Sequence, residues 1–180
     1  MSEELVALYD DAGQPCGSAP RSRMRRENLR HAATTVVVTN RTGLVYVHRR
    51  TDTKDVFPGM HDFACGGVIA AGEEPLGAAL RELAEELGIV GVSLTDLGPA
   101  DYADAHTNYR SFRYEVEWDG PISWQPEEVA WGDWWRPEDI LGKLEEPGWC
   151  VPDTAALMHD WLIQRVALRE AGGRVGDSRA

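Results

Sequence analysis

The amino-acid sequence predicts a single domain of mixed helices and strands, an α/β fold in the broad sense and α+β in the narrower one. Three observations lead to that prediction. The chain has 180 residues, the size of one ordinary domain. Two β-branched runs are separated by a short polar turn, as in a β-hairpin, and a later segment repeats leucine at helical spacing. We expect the domain to span residues 1–172 and a flexible tail to span 173–180.

The first third of the chain is predicted to consist mainly of strands. Residues 1–30 contain a short strand and then an arginine-rich segment, Arg21–Arg30, that we expect to form a short helix. Such a charge run is usually a solvated face, and a phosphate-facing patch is the alternative. The strands expected after it occupy 33–39, 43–50 and Ala64–Ala70, with a polar loop over 51–63.

The rest of the chain contains the clearest predicted helix, Glu74–Gly88. Pro75 suits its first turn and Gly88 suits its C-terminal end. The leucines expected on its apolar face are Leu76, Leu80, Leu83 and Leu87. Beyond it we expect strands around 90–95, 109–118 and 129–135, and helices over Pro137–Lys143 and from a capping Asp153 to about Glu170.

The charge balance narrows the class of partner. Lysine and arginine number 18 against 30 aspartates and glutamates, so the net charge is −12. A field of that sign repels nucleic acids and anionic lipid, so we expect neither a nucleic acid nor a membrane as partner. Three widely spaced cysteines favour neither disulfides nor a zinc site, and the acidic amino terminus is unlike a secretion signal, so we expect a cytoplasmic protein.

Three carboxylates share one face of the predicted central helix. Glu82, Glu85 and Glu86 stand at i, i+3 and i+4, opposite the leucines. Like charges at this spacing destabilise a helix by about 0.2 to 0.5 kcal/mol per pair, a cost that a bound cation would offset. Taken alone, the stripe favours a solvated acidic face, because charge runs usually are solvated. Carboxylate oxygens would suit Mg²⁺ or Mn²⁺.

The surrounding segment, residues 67–89, favours the metal interpretation because it resembles the Nudix box. That pattern requires Gly, five residues, Glu, seven residues, Arg-Glu, an aliphatic residue, any residue, Glu-Glu, any residue, Gly and an aliphatic residue. The positions that match are Gly67, Glu73, Arg81, Glu82, Leu83, Glu85, Glu86, Gly88 and Ile89. The resemblance implies the Nudix fold, a mixed β-sheet sandwiched between α-helices, and a hydrolase of diphosphate linkages in a nucleoside diphosphate joined to another group.

The resemblance also implies roles for individual residues. In that family the metal ligands would be Glu82, Glu85 and Glu86, with the carbonyl oxygen of Gly67 as a further ligand. The metal would neutralise phosphate oxygens and lower the pKa of a water molecule, and Glu82 would be the base that takes the proton of that water. The residues expected to support the box by pairing with each other are Glu73 and Arg81. Glu128, in the loop before a late strand, is the second candidate base.

A further resemblance concerns the branch of the superfamily that contains isopentenyl-diphosphate isomerases. Residues that match its diphosphate-binding cations are Arg49, Arg50 and Lys54; His31 matches a metal-binding histidine and Cys65 the catalytic cysteine. Three departures count against isomerase activity. Cys65 is followed by Gly-Gly-Val instead of Gly-His-Pro, the later Glu-x-Glu is absent, and the Nudix box is intact. Cys65 is then expected to be a small buried residue.

Several alternatives stay open at this point. The tryptophans Trp118, Trp124, Trp131, Trp134 and Trp135 are expected to serve packing, with nucleobase stacking as the alternative. The leading function is hydrolysis of a small-molecule diphosphate, and the alternatives are an isopentenyl-diphosphate isomerase or a non-catalytic nucleotide-sensing module. The sequence names no specific substrate and leaves a homodimer open.

Overall fold

The computed structural model describes residues 3–54 and 56–176, with side chains described as far as residue 171. Its order of elements is β1 (Leu5–Tyr9), β2 (Pro15–Pro20), α1 (Arg21–Arg26), β3 (His31–Thr39), β4 (Val45–Arg50), β5 (His61–Asp62), α2 (Pro75–Leu87), β6 (Thr95–Ala103), β7 (Asn108–Glu117), β8 (Val129–Trp135), α3 (Pro137–Lys143) and α4 (Pro152–Gly176). The predicted α+β class is confirmed. No helix in these two stretches is long and apolar enough to cross a bilayer.

The chain divides into two compact units. The first unit comprises Met1–Val37, Ala64–Val116 and Pro121–Gln125, and the second unit comprises Val38–Phe63, Glu117–Gly120 and Pro126–Ala180. In the first unit β2 pairs with β1, β1 with β3, β3 with β7, and β7 with β6. In the second unit β4 lies between β5 and β8, antiparallel to both. One parallel bridge joins His61 to Cys150.

The predicted hairpin of the first third is confirmed by the antiparallel register of Thr39 with Val45. Residues 4–19 contain two strands instead of the one expected, because the turn after Tyr9 returns the chain antiparallel to β1. The predicted strand Ala64–Ala70 is wrong as a regular strand, since only isolated bridges form there. The reason is the Gly66–Gly67 pair, in which Gly66 has a φ of +154° that interrupts the ladder.

Helix α2 forms as the sequence predicts, with Pro75 at its first position. Gly88 ends it in the left-handed conformation, with a φ of +67°, and donates its N–H to the carbonyl of Ala84 at 3.0 Å. The predicted apolar face is partly wrong. Leu76 is 48% exposed, because α2 packs closely through small residues such as Ala78, which joins Ala32 and Ile69 in a buried cluster.

Two other boundaries differ from the prediction, the start of β6 and the start of α4. Residues 90–94 form no strand, because Gly91 turns the chain at a φ of +72° before β6 begins. Helix α3 has the predicted limits. Helix α4 begins at Pro152, so Asp153 lies in the first turn, where its carboxylate accepts the N–H of Thr154 at 2.9 Å.

The end of α4 also lies beyond the predicted position. The helix continues past Glu170 to Gly176 because glycine lowers helix propensity by about 1 kcal/mol without forbidding helical dihedrals. The tail predicted over 173–180 therefore begins within this helix. Its last four residues, 177–180, lie outside the described residues.

Candidate active site

The three glutamates of α2 do not form a uniformly solvated face. The side chain of Glu82 is 14% exposed and that of Glu85 is 55% exposed. Glu86 is buried, with only 9% of its surface exposed. Burial of a carboxylate is costly unless a partner or a cation compensates it. The interpretation of this stripe as a merely solvated face is therefore wrong for Glu82 and Glu86.

Arg81 holds the carboxylates of the segment together. Its guanidinium binds Glu73 in a two-bond fork, with Nε to Oε1 at 2.9 Å and Nη2 to Oε2 at 3.0 Å. Its Nη1 also donates to Glu82 Oε1 at 2.7 Å and to Glu85 Oε2 at 3.2 Å. The expected pairing of Glu73 with Arg81 is thus present. The fork fixes the loop before α2 against the helix, because Glu73 also accepts the N–H of Ala70 at 3.1 Å.

The environment shifts the acidities of these groups in opposite directions. Burial raises the pKa of Glu82, and this outweighs the hydrogen bond and charge of Arg81, which lower it. The hydrogen bond from Arg81 holds the pKa of Glu73 below its ordinary value. The same bond, with that to Glu82, raises the pKa of Arg81. Of Glu73 and Glu82, the two partly buried acids in contact with Arg81, Glu82 is therefore the better proton acceptor.

Gly67 lies directly against the carboxylate of Glu82. A β-carbon added at Gly67 would come within 2.6 Å of Glu82 Cδ and 2.8 Å of its Oε2. A side chain there would displace the carboxylate, so the close approach itself requires glycine. The carbonyl oxygen of Gly67 accepts the N–H of Thr34 at 2.9 Å and keeps a second lone pair. Sequence reasoning named Gly67 as a ligand but missed this steric role.

The donor chemistry of this segment fits a hard divalent cation. One nitrogen of Arg81 contacts both Glu82 and Glu85, so oxygens of these two carboxylates lie within reach of a single positive charge. Carboxylate and carbonyl oxygens are the donors that Mg²⁺ and Mn²⁺ prefer. Among the residues that the structure describes, no group of three or more His, Cys, Asp or Glu side chains is already arranged as a metal site.

The second candidate base, Glu128, lies in the second unit and is paired with a lysine. Its Oε2 accepts a short hydrogen bond from Lys54 Nζ. Thr51 anchors the same loop, because its N–H donates to the carbonyl of Glu128 at 3.1 Å and its hydroxyl to that of Glu127 at 2.9 Å. The structure thus brings together Glu128 and one of the three predicted phosphate-binding cations.

The other two predicted cations also have partners in the second unit. Arg49 Nη2 binds Asp52 Oδ1 at 2.6 Å. Arg50 donates through Nε and Nη2 to the carbonyl of Val56, at 3.3 and 3.1 Å. These contacts stabilise the loop after β4. A role in binding phosphate would require them to be exchanged, and it stays a prediction.

The histidine and the cysteine that resemble isomerase positions are both buried. His31 is 5% exposed, and its Nδ1 donates to the carbonyl of Leu29 at 3.0 Å. Burial lowers the pKa of His31, so the ring is neutral at pH 7. Cys65 is 4% exposed, and its backbone N–H pairs with the carbonyl of Val36 at 2.9 Å. This environment fits the expectation of a small buried residue at Cys65.

The second unit carries a cluster of aromatic rings. His61 stacks on Trp149 with centroids 4.8 Å apart and planes 11° apart, and its ring also lies 6.0 Å from Trp131. Trp135 contacts both tryptophans. Sequence reasoning missed His61 and Trp149, because their contact joins segments far apart in the chain. Trp131 is 39% exposed, so packing is incomplete at that ring.

Comparisons with known proteins identify the family of the chain. Residues 29–170 match the family described as NUDIX domain. The chain is 42% identical over 171 residues to an uncharacterized Nudix hydrolase, orf19, of Rhodococcus erythropolis, covering 89% of this chain and 92% of that protein. It is 36% identical to the uncharacterized Nudix hydrolase YfcD of Escherichia coli K12, covering 94% of this chain and 92% of that protein.

Solved structures share the fold. The crystal structure of DR0079 from Deinococcus radiodurans superposes with a TM-score of 0.74 at 24% identity, covering 87% of this chain and 98% of that one. The MutT protein from Methanosarcina mazei Go1 superposes with a TM-score of 0.62 at 17% identity, covering 77% of this chain and 94% of that one.

Proposed function

The chain belongs to the Nudix hydrolase family, and from that membership we propose that it hydrolyses, with Mg²⁺ or Mn²⁺, the diphosphate linkage of a nucleoside diphosphate joined to another group. The observation that carries the proposal is the packing of the Nudix box. Glu82 and Glu86 are withdrawn from solvent, and Gly67 lies against Glu82. Buried carboxylates grouped in this way are stabilised when a cation joins them.

The residues that would hold the cation are Glu82, Glu85 and Glu86, with the carbonyl of Gly67. When bound, the ion supplies neutralisation of phosphate charge and a water of lowered pKa. Glu82 would be the group that accepts a proton from the attacking water, because burial raises the pKa of its carboxylate above the ordinary value. Arg81 fixes the orientation of Glu82 through the 2.7 Å hydrogen bond and anchors itself on Glu73.

Glu82 is preferred over Glu128 as the base for a structural reason. Each of these carboxylates accepts a hydrogen bond from a cation, Glu128 Oε2 from Lys54 Nζ and Glu82 Oε1 from Arg81 Nη1, so that contact does not separate them. Glu82 belongs to the Nudix box itself and lies against Gly67.

The experiment is a hydrolysis screen with Mg²⁺ and Mn²⁺ against nucleotide sugars, dinucleotides, nucleotide coenzymes and oxidised nucleotides. Glu85→Gln and Glu86→Gln should each weaken metal binding and lower turnover at limiting metal by at least about tenfold. Glu145→Gln, at an exposed position after α3, is the matched control and should leave turnover unchanged.

Three outcomes would contradict the proposal. Nucleotide binding without turnover of any member of the panel would indicate a sensing module. Interconversion of isopentenyl and dimethylallyl diphosphate would indicate an isomerase. Unchanged kinetics in both glutamine variants at limiting Mg²⁺ would remove Glu85 and Glu86 from the metal site.

A further inference from the structure

Three neighbouring strands of the second unit bring two aromatic rings together on one face of their sheet. His61 of β5 lies opposite Arg49 of β4, and Arg49 lies opposite Trp131 of β8. Residues directly opposite each other in adjacent strands point to the same face. The rings of His61 and Trp131 are 6.0 Å apart, although two strand spacings separate their backbones by about 10 Å. The two rings therefore lean toward each other over β4.

This face of the sheet is closed at one end and open at the other. Val45 and Val47 lie on the same side of β4 as Arg49, because side chains alternate along a strand, and both valines are fully buried. The side chain of Arg49 is 37% exposed, and Trp131 is 39% exposed. Trp131 thus lies at the open end, where its indole ring meets solvent.

Contacts on two sides hold the exposed ring in place. Trp135 lies 6.2 Å from Trp131 with the two planes at 82°, and His61 contacts Trp131 at 81°. The segment that carries Trp149, on which His61 stacks, is itself tied to β5. The carbonyl of Trp149 accepts the N–H of His61 at 2.9 Å, and the carbonyl of His61 accepts the N–H of Val151 at 2.9 Å. A ring held in this way loses little conformational freedom when a ligand binds to it.

The size and surroundings of the exposed ring indicate a small, flat ligand. Among the residues that the structure describes, no other exposed large apolar side chain lies on β4, β5 or β8. A stable protein–protein interface buries about 800 Å² on each partner, far more than one indole ring offers. Charged groups lie nearby, since Arg49 binds the exposed Asp52. An indole ring beside charged groups suits a heteroaromatic ring, which combines an apolar face with a polar edge.

We propose that Trp131, held by His61 and Trp135, binds the nucleobase of the substrate by stacking. The proposal rests on the proposed function for the identity of the ligand as a nucleotide. Stacking tolerates any base, because every base has a π-face, so this contact selects nucleotides as a class. Isopentenyl diphosphate, the substrate of the alternative activity, has no aromatic ring and gains nothing from the contact.

The test is isothermal titration calorimetry on the full chain with AMP, UMP and ribose 5-phosphate, the last being the matched probe that lacks a base. AMP and UMP should each bind at least about fivefold more tightly than ribose 5-phosphate. Trp131→Leu should weaken both nucleotides by at least about fivefold, the lower end of the scale for one base stacked on an aromatic ring, and leave ribose 5-phosphate unchanged. Trp131→Phe keeps an aromatic face and should keep most of the affinity.

Trp134→Leu is the matched control on the same strand. Trp134 points to the opposite face of β8, where its ring lies 5.3 Å from that of Tyr46. This variant should bind AMP and UMP within about twofold of wild type. Equal weakening in Trp131→Leu and Trp134→Leu would overturn the proposal, because the effect would then follow from general damage to the strand.

Wild-type affinity for AMP and UMP in Trp131→Leu would also overturn the proposal, as would nucleotides that bind no more tightly than ribose 5-phosphate. If Trp131→Leu does not fold, NMR on the wild-type protein decides. Addition of AMP should shift the indole N–H signal of Trp131, identified by its loss in Trp131→Phe, and an unchanged signal refutes the site. Binding is read without turnover, so failure of every hydrolysis assay would leave this test intact. Conversely, hydrolysis of nucleotides with an unchanged KM in Trp131→Leu would refute the site and retain the proposed function.

Discussion

Replacement of Gly67 by alanine tests whether the position of the Glu82 carboxylate controls the chemistry. The backbone of Gly67 lies outside the left-handed region, so alanine brings no conformational strain there. The new β-carbon would instead stand 2.6 Å from Glu82 Cδ and 2.8 Å from Oε2. The perturbation is therefore a displacement of one functional group by one methyl group.

The magnitude follows from these distances. Ordinary van der Waals contact begins near 3.4 Å, so Cδ of Glu82 must move by about 0.8 Å and the nearer oxygen Oε1 by more, and a misplacement of about 1 Å costs about 10² in rate. We expect kcat to fall by about that factor, with weaker metal binding. The free energy of unfolding should fall by only about 1 kcal/mol, because the displaced atoms end a flexible side chain.

The assay compares kcat, metal titrations and thermal unfolding of Gly67→Ala with those of Gly77→Ala. Gly77 lies in α2, and an added β-carbon there meets nothing within 4 Å. Gly77→Ala should keep wild-type kcat and gain about 0.5 to 1 kcal/mol of stability from helix propensity. Wild-type kcat and metal affinity in Gly67→Ala would refute the reasoning, because the contact with Glu82 would then have no functional consequence.

Three further predictions concern single groups. Glu82→Gln should lower kcat by about 10² to 10⁴ without rescue by excess Mg²⁺, and full rescue in a metal titration would move the base elsewhere, with Glu128 next. Cys65→Ala should leave hydrolysis intact and cost about 1 kcal/mol in chemical denaturation, whereas loss of activity in the folded variant would restore a thiol role. Arg81 lowers the pKa of Glu73 in the folded protein, so the stability from this pair is complete above the ordinary glutamate pKa of about 4.3 and is lost as the pH falls through the pKa of the folded state. Glu73→Gln should therefore reduce the loss of unfolding free energy at acidic pH. An unchanged dependence of stability on pH would contradict the pairing.

The local elements were predictable because their signals lie within a few residues. Pro75 marks the start of α2 and Gly88 marks its end, since proline suits a first turn and glycine suits a left-handed cap. Pro137, at the first position of α3, made the start of that helix predictable in the same way. The strand expected at Ala64–Ala70 was wrong because Gly66 has a φ of +154° that interrupts the ladder where its backbone approaches that of Thr34.

The sequence by itself determined the identity of the chemical groups. The spacing of Gly67, Arg81 and Glu82 within the Nudix box sufficed to predict the family, because covalent order and helical periodicity decide which side chains share a face. Only the tertiary structure decided their environment. The burial of Glu86, the partial burial of Glu82 and the close approach of Gly67 to the Glu82 carboxylate arise when distant segments pack together, and burial and proximity to charge are what set the acidity of a carboxylate.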